Sequence, residues 1–123
     1  MPEQFIKEIK RARLRYSQKL NNVEAVIRYL ENDPWTFQSG YFKADLIKLL
    51  RRLSLTFAQQ ERVRKIVLAV VDGRDRREFR PYCRLAQKVD STALRAELTR
   101  RLESQSEVTR RHARWVLNYL IKQ

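Results

Sequence analysis

This chain has little of what covalent or metal chemistry requires. It holds one cysteine and one histidine among 123 residues. A lone thiol excludes a disulfide framework within the chain, and beside a single imidazole it leaves too few soft ligands for a structural zinc site, so no metal is expected. Two glycines and three prolines give sparse material for tight turns. No segment alternates apolar and polar residues as a half-buried strand does, which excludes an all-β fold. Long apolar runs are missing too. The longest, Ile66 to Val71, is far too short to span a bilayer, and the charged opening residues MPEQFIKEIKRARLRY lack the apolar stretch of a secretory signal. The expectation is a single cytoplasmic domain over residues 1–123, in a reducing compartment, with no transmembrane segment and no cofactor. A chain of this size buries about two-thirds of its unfolded surface, enough for one core.

Basic charge is what the chain has in excess. Lys plus Arg number 27 against 14 Asp plus Glu, a net charge of +13. Arg makes up 19 of the 27, and its planar fork suits phosphate and carboxylate, so the balance favours a polyanionic partner, nucleic acid above all. The excess is uneven: +4 over residues 1–20, −2 over 21–39, +3 over 40–55, +4 over 74–89 and +3 over 105–123.

Apolar residues recur with helical spacing throughout. Phe5, Ile9, Ala12, Tyr16, Leu20, Val23, Ile27 and Leu30 form one stripe, which predicts a long N-terminal helix over 1–32, continuous or bent at Asn21-Asn22, where Asn22 is a candidate cap. Asp33-Pro34 ends it, because proline disfavours helical geometry in the residue before it. A second helix runs from about Tyr41 to Leu53. Thr56 and Gln59 form a candidate capping box for a third reaching Asp72, with Gly73 as a left-handed stop. Ile66 to Val71 is apolar all round and is expected to be the most buried stretch. Asp75 and Glu78 look like another box, but Pro81 would then fall in the second turn, so a start near Arg80 with Pro81 in the first position is favoured. Asp90 or Ser91 caps a helix carrying Leu94, Leu98 and Leu102, and Ser104 with Glu107 caps the last. The prediction is all-α, with about six or seven antiparallel helices and short connections.

Two stretches are alike: ADLIKLLRRLSLTFAQQERVRKIVLAVVDG (44–73) and STALRAELTRRLESQSEVTRRHARWVLNYL (91–120). Each has a leucine-spaced first helix ending in Arg-Arg-Leu, a connector, and a second helix opening near a valine with basic residues after it. The sequence thereby resembles a short HEAT-like array of antiparallel helix pairs. Val63-Arg64 matches the usual opening of a second repeat helix. Val108-Thr109 departs from it and moves the basic residues to Arg110 and Arg111. The resemblance implies a stack of helix hairpins, with 1–32 packing on helix pairs over 41–73 and 80–122, against the alternative of a closed helical bundle. It also implies a binding surface without built-in chemistry. Most such proteins offer a groove to another protein, and a minority bind the backbone of DNA or RNA.

Several basic constellations are candidate anion sites. Lys7, Arg11 and Arg15 recur every four residues opposite Phe5, Ile9 and Ala12, either as a solvated outer face or as one that tracks phosphate or an acidic membrane. Arg74, Arg76, Arg77 and Arg80, with Arg84 and Lys88 at helical spacing, crowd a helix-to-helix turn where free backbone N–H groups favour anions. Their alternative role is to pair with Asp75, Glu78 and last-turn carbonyls. Arg51-Arg52, Arg100-Arg101 and Arg110-Arg111 with Arg114 recur at helix ends and would line one edge of a stack. The loop from Trp35 to Phe42 is rich in aromatics, suited to plugging the core or to stacking on bases.

Catalysis finds no support. Cys83 lies within an apolar stripe, as an inert buried thiol does, and His112 has no obvious carboxylate to orient it. The leading expectation is a non-enzymatic module binding DNA or RNA mainly through phosphates. The alternative is an adaptor that receives an acidic segment of a protein partner, a homodimer being one form of it. An enzyme acting on DNA would need Asp75 or Glu107 close to Trp35 or Trp115.

Overall fold

A computed structural model describes residues 22–34 and 39–122. Within them the chain is all-helical: α1 (Asn22–Asn32), α2 (Ser39–Arg52), α3 (Phe57–Asp72), α4 (Phe79–Lys88), α5 (Thr92–Arg101) and α6 (Glu107–Lys122), with no strand among the described residues. No helix there is long and apolar enough to cross a membrane. The N-terminal stripe up to Leu20, including Lys7, Arg11 and Arg15, lies outside the described residues, as do Trp35 and Phe37.

Local chemistry accounts for the helix ends. Asp33 takes φ 47 and its N–H donates to the Tyr29 carbonyl at 3.0 Å, a left-handed cap that aspartate tolerates and that stops α1 ahead of Pro34. The capping box of α3 forms as predicted, with the Gln59 N–H donating to Thr56 Oγ1 at 3.1 Å and the Thr56 N–H to Gln59 Oε1 at 2.9 Å. Ser91 caps α5 through the Leu94 N–H at 3.0 Å. Three expectations need correcting. Gly73 is extended (φ −97) rather than left-handed, because its N–H closes a tight last turn on the Val70 carbonyl and the chain leaves straight. The cap of α6 is Ser106, not Ser104; its hydroxyl accepts from the Thr109 N–H at 3.2 Å. Pro81 sits in the third position of α4, still within the first turn, where its missing N–H is not needed.

The six helices pack as two layers. The odd-numbered helices lie side by side in one layer, α1 on α3 and α3 on α5, and the even-numbered ones in the other, α2 on α4 and α4 on α6. Cross-layer packing joins α1 to α2, α3 to α4 and α5 to α6, and α3 also packs on α6. Each odd–even pair is therefore a hairpin, and three hairpins stack. This differs in register from the pairing read from the sequence, which put α2 with α3. The two look-alike stretches hold unlike positions in the stack: 44–73 crosses from the first hairpin to the second, whereas 91–120 falls within the third. The leucine spacing that made them similar marks a buried face and leaves open which neighbour it meets.

The core lies between the layers. Ile27 and Leu30 of α1, Leu46 and Leu50 of α2, Val63 and Val67 of α3, Leu85 and Ala86 of α4, Leu98 of α5 and Val116 of α6 are all buried. Ile66, Val67, Val70 and Val71 are buried, but Leu68 is half-buried and Ala69 opens to solvent, because a helix in a two-layer stack keeps its outer face toward water. This run is therefore not the most buried stretch: residues 25–30 of α1 are covered more completely, with only Arg28 exposed. Gly40, in the first turn of α2, permits a close approach: a Cβ there would stand 3.2 Å from Glu78 Oε1 at the start of α4.

Candidate functional site

The even-numbered helices run in the same direction. Near their N-terminal ends Arg77 donates to the Tyr41 hydroxyl at 2.7 Å. At the other end Lys88 Nζ donates to the Arg51 carbonyl at 3.1 Å, and Gln87 Nε2 to the Tyr119 carbonyl at 2.9 Å. Two surface grooves follow, one on each side of α4, with Gln87 in both walls.

The first groove, of about 510 Å³, lies between α2 and α4 and is lined by Lys48, Arg51, Arg52, Arg84, Gln87 and Lys88. Five of these six side chains are cations and none is an acid. Arg51 and Arg52 come from the last turn of α2, where basic residues also complement the helix dipole. Among the described residues the side chains of Lys48, Arg51, Arg52 and Arg84 form no ion pair. Burial lowers the pKa of the Lys88 ammonium, and the Arg51 cation lowers it further. An anion in the groove would reverse the second effect. Asp45 lies beyond the rim, in a small hollow shared with Lys48, Leu49 and Arg52.

The second groove, of about 890 Å³, separates α4 from α6. Arg77, Arg80 and Lys122 supply its charge, Trp115 and Tyr119 its aromatic wall, and Asn118 an amide. Trp115 is 43% exposed. Its ring meets Phe79 edge-on at 5.6 Å, and the Arg111 guanidinium lies over it at 5.5 Å. Cys83 touches the same groove from beneath, and burial pushes its thiol up to about 12, so it is an inert wall atom.

The remaining arginines singled out by sequence are placed elsewhere. Arg76 turns inward: its side chain is 4% exposed, it forks Asp33 at 2.9 and 3.0 Å, and it lies 3.2 Å from Glu78. Lys43, wholly buried, completes the cluster at 2.6 Å from Asp33. Burial works to raise the Asp33 carboxyl, but the hydrogen bonds from Arg76 and Lys43 win and hold it below its ordinary value. Arg110 donates to the Ser104 carbonyl at 2.6 Å and Arg111 pairs with Asp75 at 2.7 Å. Arg74 and Arg114 are exposed, and Arg74 reaches the Asp75 carbonyl at 3.4 Å. The three Arg pairs do not line one edge. Arg51-Arg52 end α2, Arg110-Arg111 begin α6 at the opposite end of the parallel layer, and Arg100-Arg101 belong to the odd layer, where Arg101 pairs with Asp72.

The structure thus brings Arg51, Arg52 and Arg84 together, adds Arg77 and Arg80 next door, withdraws Arg76 and Arg111 into ion pairs with Asp33 and Asp75, and turns Arg110 onto the Ser104 carbonyl. Lys48 was missed because the sequence reading followed adjacent arginines. Its signal was a place three and four residues before Arg51 and Arg52, on one helix face.

His112 does have a carboxylate partner, contrary to the sequence expectation. Asp75, 37 residues away, sits 2.7 Å from Nε2, while Nδ1 donates to the Val71 carbonyl at 3.0 Å. The imidazole has no solvent exposure and is stacked on Phe79 at 4.3 Å. Both ring nitrogens are engaged, so the pair ties α6 to the end of α3 and leaves no nitrogen facing a substrate. Asp75, which Arg111 also holds, is tied into the same contact.

Comparison with protein-family models, curated proteins and solved structures finds no match for this chain.

Proposed function

We propose that this chain is a small, non-enzymatic basic helical module that binds nucleic acid mainly through phosphate contacts, using the outer face of α2, α4 and α6. The observation that carries the reading is the α2–α4 groove, with its five cations, no acidic wall residue and no ion pair to the side chains of Lys48, Arg51, Arg52 and Arg84 among the described residues. Like charges held this close repel one another, an arrangement that an anionic ligand relieves. Arg forks and Lys ammonium groups on a rigid helix layer suit a phosphate backbone better than a base edge, so little sequence selectivity is expected.

The test is fluorescence anisotropy with labelled DNA and RNA at salt concentrations from about 50 to 200 mM. Saturable binding that weakens linearly in log salt is expected. Engagement of all five groove cations by duplex corresponds to a slope of about −4 to −5. Absence of binding at the lowest salt overturns the reading. Binding of an acidic polypeptide such as polyglutamate, in place of nucleic acid, would assign the same groove to an acidic protein segment.

A further inference from the structure

Resting on that reading, we infer that the α4–α6 groove takes unpaired bases, so that the ligand class is single-stranded nucleic acid, with Trp115 as the stacking platform and the α2–α4 groove following the phosphates. Three observations point the same way. On α6 Val116 and Leu120 are buried while Trp115 is left 43% exposed and Ile121 70%, and of these two exposed side chains Trp115 is the one that lines the groove. That ring is held in place rather than loose, by the Phe79 edge at 5.6 Å and the Arg111 guanidinium at 5.5 Å. The groove beside it is framed by Arg77, Arg80 and Lys122, offers the Asn118 amide, and contains no carboxylate in its wall.

The two grooves share the Gln87 wall, so one ligand lying across α4 would meet cations on both sides of Arg84 and an aromatic surface on one side only. A duplex keeps its base faces inside the stack and gains nothing from Trp115. A single strand presents π faces beside its phosphates, and every base has one, which makes such contacts tolerant of sequence. The Arg111 guanidinium over the indole is itself held by Asp75, so it fixes the orientation of the ring and adds no stacking surface of its own.

Anisotropy with an oligothymidylate, an oligouridylate and a duplex of equal length tests the assignment. Wild type should prefer the single strands. In Trp115→Ala the ratio of single-strand to duplex affinity should fall by about tenfold, and Trp115→Phe, which keeps a ring, should retain most of it. A second readout avoids truncation: in the Trp35→Phe protein Trp115 is the only indole, and saturating oligothymidylate should quench its emission. An unchanged affinity ratio in Trp115→Ala, unquenched emission at saturation, or tighter binding of duplex by wild type would each overturn the stacking role. Each of these outcomes leaves the phosphate reading intact, because Arg84→Glu with Lys88→Glu would still weaken every ligand. Failure of wild type to bind any of the three probes overturns both.

Discussion

The two layers carry the same kinds of residue and use them differently. Helices α2, α4 and α6 each carry a formal charge of +3, against −1, +1 and +2 for α1, α3 and α5. On the odd layer cations meet acids: Arg62 reaches Glu24 at 2.7 Å and Glu31 at 2.8 Å, Arg64 pairs with Glu61, Arg95 with Asp90 and Arg101 with Asp72. The cavity of about 160 Å³ on that side is correspondingly mixed, with Glu31 and Asp33 facing Arg62 and Lys65. On the even layer the groove cations face one another. Neutralised charge glues helices together, whereas Lys48, Arg51, Arg52 and Arg84, which pair with no acid among the described residues, repel one another across the groove. The proposed site rests on this pairing pattern and not on net charge.

The sharpest break of this comparison comes from an arginine that the even side does not share with solvent. Arg76 stands among a crowd of exposed arginines in the sequence, yet with Lys43 it neutralises Asp33 and Glu78 where α1, α2 and the start of α4 meet. Removing it in Arg76→Leu leaves the buried Glu78 carboxylate and the partly exposed Asp33 carboxylate to Lys43 alone, and because solvent screens Asp33 in part the expected loss is about 2–3 kcal/mol in urea unfolding. A loss under about 1 kcal/mol would place Arg76 with the solvated cations after all.

Charge reversal of Arg51, Arg84 and Lys88 to Glu should have the largest effect on binding and a small one on folding. Affinity for single-stranded DNA at about 100 mM salt should fall by about a hundredfold, and the log–log salt slope should become shallower by about three. Equal weakening after reversal of Arg100, on the odd layer and 76% exposed, would erase the distinction between the layers and reduce the interaction to net charge.

How much of this was legible in the sequence depends on the range of the interaction. The Thr56 and Ser91 caps, the stop at Asp33-Pro34 and the apolar stripes arise from residues within one turn of each other, and periodicity reports them directly. The hairpin register was not legible, because the buried stripe of α2 specifies an apolar neighbour without specifying α1 and α4 over α3. The same limit applies to charge. Arg76 and Arg77 are adjacent in sequence, but Asp33 lies 43 residues from Arg76, and only the fold decides which arginine turns inward. For Asp75 the visible roles are local, a capping box with Glu78 or a pairing with neighbouring arginines, whereas in the fold it meets His112 and Arg111 of the last helix. Lys48, Arg51, Arg52 and Arg84 were all present as basic residues, yet their convergence requires α2 and α4 to run parallel and side by side.

The odd layer supplies the smallest and most discriminating test. Arg62 bridges Glu24 and Glu31 across α1 and α3, and its hydrogen bond, assisted by that from Gln59, holds the Glu24 carboxyl below its ordinary value. All three charged groups are partly exposed, so solvent screens much of the attraction, and Arg62→Ala should cost only about 1 kcal/mol, or about 3–5 °C in Tm. Binding of nucleic acid should stay within about twofold of wild type at equal salt, although the substitution removes the same unit of charge as Arg84→Ala, which should weaken binding by about threefold to tenfold. Thermal melts and anisotropy on this pair of variants set stability against affinity at constant net charge. If Arg62→Ala loses affinity as Arg84→Ala does, a diffuse field binds the ligand; if only Arg84→Ala does, the groove between α2 and α4 is the site.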